Sequence, residues 1–360
     1  METRKEPDDG LLAGAEHAGL AEARTSQTDP DAVVIEFPLD RSSPFDAHLV
    51  AKYERIFPGV RGEIEAMRGR AMSLREIQRA LQTRYQADVS PELICTIADD
   101  FLGKAEKWLS RPLDAIYAMV FFDALRAKVR DDGVVRTKAI HIALGVRPNG
   151  SKDIIGIWIA PPVSAHFWLQ AIGGLKRRGV QDILIAAVDG THELADAVGA
   201  AFPKGQVLTS IVHMVRRSLS FVSRDDKAAV TAVLRSICSA PNSGAAGNLL
   251  DVFVHGKWSA KYGAIADYWR GQWDHVESYL SYPDGVREIL WTTNATGSMN
   301  AKLRRRALRT RGYFPSDGEA MKQLTLLLQD TSSEWKVAPK KWLAARAQLA
   351  RLFPDRFPAE

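Results

Sequence analysis

A change of hydrophobic period near residue 116 constrains the fold more than any other feature of this sequence. Before it, residues 45–110 carry apolar side chains at helical spacing. After it, apolar residues alternate with period two in three segments, IYAMVFFDALRAKVR, KAIHIALGVR and DIIGIWIA. The turn sequences DDG (131–133) and PNG (148–150) separate them, and such sequences are typical of hairpins. The sequence therefore predicts three consecutive antiparallel strands.

Helices and strands alternate after the third strand. The segment SAHFWLQAIGGLKRRG predicts a helix, and the continuous apolar run DILIAAV predicts a strand buried on both faces. A helix near 192–201, a strand at QVLTSIV and a helix from His213 follow. A mixed sheet with helices on both faces is one of the few compact structures for this order. The order resembles that of ribonuclease H-like domains, so we predict an α/β fold of this type.

Helical segments flank the predicted sheet. A capping box at Ser73 and Glu76 and an N-cap at Ser90 begin two short helices, which fit a helix-turn-helix. A plain helical hairpin fits equally well, because the front of the second helix, PELICTIADD, contains no Arg or Lys. Later aromatic residues at near-helical spacing indicate the core of an all-helical insertion rather than a base-stacking surface. These residues are Trp258, Tyr262, Trp269 and Trp273.

These patterns divide the chain into six segments. They are a disordered tail (1–32), a helical DNA-binding domain (45–112), the first part of the ribonuclease H-like core (113–223), an all-helical insertion (224–288), the completion of the core with a basic helix (289–330) and a C-terminal helical segment (331–360).

The composition predicts a cytoplasmic protein that has no contact with a membrane. The sequence contains no apolar run of about 18 residues and no secretory signal. Its two cysteines, Cys95 and Cys238, match no metal-binding spacing, which is typical of inert thiols in a reducing compartment.

A dense basic run, KLRRRALRTR, occupies residues 302–311 of a chain whose net charge is +5. The run contains no acidic residue, and a polyanion such as DNA most easily offsets the repulsion within it. A solvated basic helix face is the alternative interpretation. The cations predicted to bind DNA are Lys302, Arg304, Arg305, Arg306, Arg309 and Arg311.

Two aspartates lie where apolar strands would bury them. Asp123 lies inside the first strand, and Asp189 ends the strand DILIAAV. A buried carboxylate is costly unless it is paired or binds a metal. Taken singly, a structural Asp in a strand bulge and a turn-forming Asp-Gly explain the two residues. In a ribonuclease H-like order, however, the first and fourth strands are neighbours, which favours a pair that binds Mg²⁺.

Four segments together resemble a known family. They are VFFDALRAKVR (120–130), LKRRGVQDILIAAVDG (175–190), SIVHMVRRSLSFVS (210–223) and TTNATGSMNAKLRRRALRTRG (292–312). They are similar to the Mutator-type transposases of bacterial insertion sequences, over residues 45–355. The resemblance implies DNA transposition by a ribonuclease H-like domain with two catalytic Asp and one Glu. It also implies Mg²⁺ or Mn²⁺ as cofactor, DNA with terminal inverted repeats as substrate, and a homo-oligomer on nucleoid DNA.

The resemblance also assigns roles to single residues. Asp123 and Asp189 match the two catalytic, metal-binding Asp, and His213 matches the His of a Cys-x-x-His element whose Cys position holds Ser210. The family's catalytic Glu follows a Thr-Thr-Asn-Ala run, and Gly297 occupies its position.

Gly297 has a direct chemical consequence, because glycine offers no ligand to a metal. Loss of even a residue that supports a ligand typically costs about 10- to 100-fold in metal affinity or activity. We therefore expect one bound ion and impaired catalysis. Glu193, four residues after Asp189, is a candidate replacement ligand, although its position also fits a turn-exposed acid.

Three functions remain open at this point. The resemblance favours an enzyme that cuts DNA at inverted repeats and joins the 3′ ends to a target. Gly297 favours a non-catalytic DNA-binding relative that acts as a repressor or inhibitor of active transposase. A different ribonuclease H-like nuclease is the third function, and the helical insertion and the Thr-Thr-Asn run argue against it. We predict a Mutator-type transposase with impaired activity.

Overall fold

The computed structural model describes most of the chain after residue 58. The described residues are 59–69, 72–85, 89–160, 164–292, 312–314, 316–333, 335 and 337–357. The chain divides into two units, 1–46 and 47–360, and every described residue belongs to the second. The predicted tail, Gly297 and the basic run 302–311 lie outside the described residues. No helix within the described part combines the length and apolar character needed to cross a membrane.

A five-stranded mixed sheet forms the centre of the second unit. Its strands lie in the order β3-β2-β1-β4-β5. Strands β1, β2 and β3 pair antiparallel, whereas β4 and β5 continue the sheet parallel to β1. The strands are β1 (Ile116–Asp131), β2 (Val134–Val146), β3 (Lys152–Ala160), β4 (Asp182–Val188) and β5 (Gln206–Thr209). The predicted α/β, ribonuclease H-like mixed sheet is confirmed.

Strands β1 and β2 form a two-stranded ribbon that extends beyond the rest of the sheet. Their pairing continues to Asp131↔Val134, whereas the pairing of β1 with β4 ends at Phe121. Asp132 and Gly133 close the ribbon with φ angles of +47° and +82°. Two consecutive residues with positive φ are typical of the tightest hairpin turn, which explains the Asp-Gly sequence.

Helices cover both faces of the sheet. On one face, α4 (Ala165–Arg177) and α5 (His192–Ala201) bury Trp168, Ile172 and Val198 against the strands. On the other face lie α6 and the helices that follow it. These are α6 (Ile211–Leu219), α7 (Lys227–Cys238), α8 (Ser243–His255), α9 (Ser259–Gly271), α10 (Trp273–Leu280), α11 (Asp284–Thr292), α12 (Asp317–Ser333) and α13 (Trp342–Leu352).

The predicted aromatic core of the insertion is confirmed. Trp269 is fully buried and Tyr262 nearly so, in a core shared with α6 and the sheet. Trp258 and Trp273 pack against this core from its margin. Continuous apolar packing therefore attaches the insertion to the sheet. Helix α6 contributes to this packing between the insertion and the sheet.

Three N-terminal helices surround a small core of their own. They are α1 (Val60–Gly69), α2 (Leu74–Tyr85) and α3 (Pro91–Ser110). The predicted capping box is present, since Ser73 N donates to Glu76 Oε2 at 2.7 Å and Glu76 N donates to Ser73 Oγ at 3.3 Å. Just after α3, Arg111 donates to Asp153 Oδ1 of β3 at 2.6 Å, which attaches these helices to the sheet.

The structure corrects the predicted elements at the end of the sheet. The segment QVLTSIV was expected as one strand with a helix from His213, but β5 ends at Thr209 and α6 begins at Ile211. Ser210 explains the difference, because its Oγ accepts a hydrogen bond from His213 N at 3.4 Å. This N-cap stabilises an earlier helix start than the apolar pattern indicates.

Both cysteines are free thiols. Cys95 is half-buried and Cys238 is buried, and burial raises the pKa of the Cys238 thiol. A thiol with a raised pKa reacts slowly, as predicted for Cys238.

Gly190 should be needed for the turn that follows Asp189, because its φ of +89° is unfavourable for any residue with a Cβ. Gly190→Ala is expected to destabilise the protein by about 1–2 kcal/mol. The matched control is Gly199→Ala inside α5, where an added Cβ meets no atom within 4 Å. That change should stabilise by about 0.5–1 kcal/mol. Thermal unfolding measures both, and equal shifts for the two variants would contradict this account of the turn.

Candidate active site

The parallel pairing of β1 with β4 places Asp123 and Asp189 at the same level of the sheet. The last paired residues are Phe121 and Ala187, and each aspartate lies two residues beyond its member of that pair. Side chains two residues apart on a strand point to the same face. Phe121 and Ala187 face the helices that include α6, so Asp123 faces them as well.

His141 lies within the electrostatic influence of both carboxylates. It lies on β2 opposite Ala124, it is buried, and its Nε2 has no hydrogen-bond partner among the described residues. Burial lowers the pKa of His141, and the negative charges of Asp189 and Asp123 oppose this change. One imidazole is therefore within electrostatic reach of both aspartates.

Helix α6 brings three further polar side chains to Asp123. Arg216 Nη1 donates to Asp123 Oδ2 at 2.7 Å. His213 and Ser210 line the same small cavity as Asp123 and Arg216, and this cavity has a volume of about 20 Å³. That space suits one water molecule or ion. His213 Nδ1 is buried there without a partner among the described residues.

Arg216 is the site residue that the sequence reasoning missed. Its signal is the spacing His213-x-x-Arg216 on a helix, which places both side chains on one face. The side chain of Asp123 is 16% exposed and that of Arg216 is 34% exposed. The ion pair is thus partly shielded from solvent, and it compensates the charge that the strand would otherwise bury alone.

The turn after β4 holds Asp189 in a local hydrogen-bonded loop. Thr191 Oγ1 donates to Asp189 Oδ1 at 3.1 Å. Glu193 is exposed in the first turn of α5. Across the described residues, no set of three or more His, Cys, Asp or Glu could hold a metal ion. Asp123 and Asp189 therefore share no metal-binding cluster with a third such residue in this part of the chain.

The residues of this pair fit Mg²⁺ as ligands. Asp123 and Asp189 offer the hard oxygen donors that Mg²⁺ prefers, and Mg²⁺ usually keeps several waters when one or two carboxylates bind it. The small cavity beside Asp123 has room for one such water. Position 297, where a third carboxylate would belong, lies outside the described residues.

Comparison with known sequences shows the family to which this chain belongs. The sequence model described as transposase, Mutator family, matches residues 15–338. This chain belongs to the Mutator family of transposases.

Individual relatives cover nearly the same length. The transposase for insertion sequence element ISRM3 of Rhizobium meliloti (strain 1021) is 45% identical over 334 residues, which are 93% of this chain and 83% of the relative. The transposase for insertion sequence element IS1201 of Lactobacillus helveticus is 25% identical over 309 residues, covering 86% of this chain and 83% of the relative. The transposase for IS256 in transposon Tn4001 of Staphylococcus aureus is 21% identical over 326 residues, covering 89% and 82%.

Arg216 should compete with a metal ion for Asp123 in this Mutator-family transposase. Arg216→Gln removes the positive charge 2.7 Å from a mostly buried carboxylate, so thermal stability in EDTA is expected to fall by about 1–2 kcal/mol after allowance for solvent. Mg²⁺ should then restore stability, and the rise in Tm on adding Mg²⁺ should be larger than for the unaltered protein. The control is Arg217→Gln, which removes the neighbouring exposed arginine that lies 5.2 Å from the Tyr268 ring. An equal response of both variants to Mg²⁺ would exclude metal binding at Asp123.

His141 should make the stability of the fold dependent on pH. Because its pKa is lowered in the folded protein, the unfolded chain binds the proton more readily. The free energy of unfolding should therefore fall as the pH drops below about 6.5, the ordinary pKa of histidine. His141→Leu removes this contribution, while all other titratable groups stay in place. Urea unfolding between about pH 5 and pH 8 should show a weaker dependence in the variant. Parallel profiles would contradict the buried, neutral imidazole.

Proposed function

We propose that this transposase binds the terminal inverted repeats of an insertion sequence and holds Mg²⁺ or Mn²⁺ between Asp123 and Asp189. The register of β1 against β4 supports this proposal, since Asp123 and Asp189, which offer hard oxygen ligands, each follow the last paired residues by two positions. A bound ion would lower the pKa of water and stabilise the negative charge that develops on a leaving 3′ oxygen. Two repeats must be brought together, so the working form is a homo-oligomer on chromosomal DNA.

The reaction is a phosphodiester hydrolysis followed by strand transfer. In the first step, the oxygen of water bonds to phosphorus and the bond from phosphorus to the 3′ oxygen breaks, so that a 3′ hydroxyl forms. In the second step, this hydroxyl attacks a phosphodiester of target DNA and releases another 3′ oxygen. In-line displacement depends mainly on positioning and charge compensation.

Each side chain near the carboxylates has a separate task in this proposal. Arg216 supplies a positive charge at 2.7 Å from Asp123. This charge reduces the repulsion between the two aspartates and attracts a phosphate. His213 lines the cavity beside Asp123, and its unpartnered Nδ1 would hold a water or a substrate oxygen. His141, kept neutral by burial, adds no second positive charge at the ordinary cellular pH.

Gly297 limits the catalytic part of this function. The residue matches the family's Glu position in sequence, and it can contribute no oxygen ligand. We therefore propose one bound ion and weak or absent cleavage. DNA binding uses other groups, because Lys and Arg contacts to phosphates are independent of the metal. The same observation favours a second function, a DNA-binding inhibitor that occupies repeat ends or assembles with active subunits.

A cleavage assay separates the two functions. The unaltered chain and Gly297→Glu are incubated with DNA ending in terminal inverted repeats, with Mg²⁺ or with EDTA. We expect Gly297→Glu to cut the repeat ends in Mg²⁺ at least about 10-fold faster than the unaltered chain. Electrophoresis of end-labelled DNA measures the products.

Gly297→Gln is the matched control, since it adds a side chain of the same length without the charge. Asp123→Asn in the Gly297→Glu background should abolish cleavage. Rapid cutting by the unaltered chain would refute the inactive function, and failure of Gly297→Glu to cut would refute the assignment of this position. Cutting by the double variant Asp123→Asn/Gly297→Glu would remove Asp123 from the proposed site.

A further inference from the structure

The ribbon of β1 and β2 exposes a face that carries only positive charge. On β1, Arg126, Lys128 and Arg130 are exposed at alternate positions, and alternate residues share one face of a strand. Thr137 and Val135 of β2 lie opposite Lys128 and Arg130 on the same face, and both are exposed. We call these five residues the cationic ribbon face. It contains no acidic residue.

The other face of the ribbon differs from the cationic ribbon face. It packs against other parts of the protein, and its cations form ion pairs with carboxylates. Leu125 and Val129 pack against residues of α12 and against Phe314. Both cations on that face have carboxylate partners: Lys138 contacts Asp131 at 3.0 Å and Asp317 at 2.7 Å, and Arg136 contacts Asp131 at 3.8 Å. The cations of the cationic ribbon face have no carboxylate within ion-pair distance among the described residues. Within the described part of the chain, their mutual repulsion is therefore left uncompensated.

The residues that directly follow the basic run in the sequence pair with β1. Residues 302–311 directly precede Gly312 in the sequence. Phe314 pairs with β1, since Arg130 N donates to Phe314 O at 2.8 Å and Phe314 N donates to Lys128 O at 2.8 Å. Tyr313 holds the third cation, because Arg130 Nη2 donates to Tyr313 Oη at 2.7 Å and the guanidinium lies 4.9 Å from the ring centre.

The ribbon also continues the strand that carries Asp123. At about 3.3 Å per residue, Arg126 lies about 10 Å and Arg130 about 23 Å along β1 from Asp123. Alternation places Asp123 on the opposite face from these cations. Backbone pairing between β1 and β4 stops at Phe121, and the bridge to Phe314 begins at Val129. Between these two positions, this edge of β1 pairs with no other described strand. A ligand that crosses this edge can therefore contact both faces of the ribbon.

We propose that the cationic ribbon face binds the phosphate backbone of duplex DNA beside the catalytic carboxylates. The proposal rests on the proposed DNA-binding function and names a surface for it within the described chain. Uncompensated cations attract a polyanion, and each phosphate contact releases a condensed counterion. A two-stranded ribbon is also narrow enough to lie along a groove of the duplex.

The test measures DNA affinity in EDTA, where cleavage plays no part. The probes are two fluorescein-labelled duplexes, one with a terminal inverted repeat and one of random sequence, titrated at several KCl concentrations. The triple variant Arg126→Gln/Lys128→Gln/Arg130→Gln should bind both duplexes about 10- to 100-fold more weakly at about 0.1 M salt. The slope of log K against log salt should become shallower by about 2–3, because three contacts each contribute about 0.9.

The matched control removes the same charge at the opposite end of the sheet. Arg177→Gln/Lys204→Gln/Arg351→Gln changes three exposed cations outside the predicted DNA-binding segments, two just before β4 and β5 and the third at the end of α13. It should alter affinity by less than about 3-fold and leave the slope unchanged. A second variant, Arg126→Lys/Arg130→Lys, keeps the charge and should retain the slope, which separates charge from loss of fold.

Three results would overturn the inference. Equal weakening by the ribbon and control variants would show that only net charge matters. Unchanged or tighter binding by the ribbon variant would show that the cationic ribbon face does not contact DNA, because it stays solvated or is covered by an acidic segment of this chain. Absence of DNA binding by the unaltered protein would end both the inference and the proposed DNA-binding function. A fourth result separates the two proposals. If neither the unaltered protein nor Gly297→Glu cleaves DNA but the ribbon variant binds DNA more weakly, the proposed catalytic function is refuted and the inference on DNA binding is supported.

Discussion

The parallel pairing of β1 with β4 is the interaction on which the rest of the site depends. Its register, ending at Phe121↔Ala187, determines that Asp123 and Asp189 each lie two residues beyond the last pair of the two strands. The pairing of β4 with β5 then places the N-terminus of α6 beside them, so that Arg216 reaches Asp123. A shift of one residue in the first pairing would move Asp123 to the opposite face, because side chains alternate along a strand.

Charge is distributed in two separate regions around this sheet edge. Near the carboxylates, Arg216 compensates Asp123, and burial keeps His141 neutral. Along the ribbon, cations face outward without acidic partners among the described residues, and the segment that pairs with β1 there directly follows the basic run in the sequence. In the proposed function, holding DNA and cutting DNA would thus depend on different groups. Gly297, which matches the family's Glu position in sequence, would remove a metal ligand and leave the proposed phosphate contacts in place.

Much of the fold could be predicted from the pattern of single segments. Period-two alternation indicated the three antiparallel strands, and the apolar run DILIAAV indicated a strand buried on both faces. Prediction was wrong where a local cap overrode the apolar pattern. The segment QVLTSIV has the composition of a strand, but the hydrogen bond from His213 N to Ser210 Oγ begins a helix inside it. Arg216 was missed because a lone arginine on a helix is usually solvated, and its partner Asp123 is 93 residues away.

The sequence by itself determined the order of the elements, the location of Asp123 within an apolar strand and of Asp189 directly after one, and the position of the basic run in the chain. These features follow from side-chain periodicity and local charge, which each segment carries with it. Only the tertiary structure decided the register of β1 against β4, the ion pair between Asp123 and Arg216 and the uncovered face of the ribbon. Register and exposure depend on which distant segments pack together, and packing is a property of the whole core rather than of any one segment.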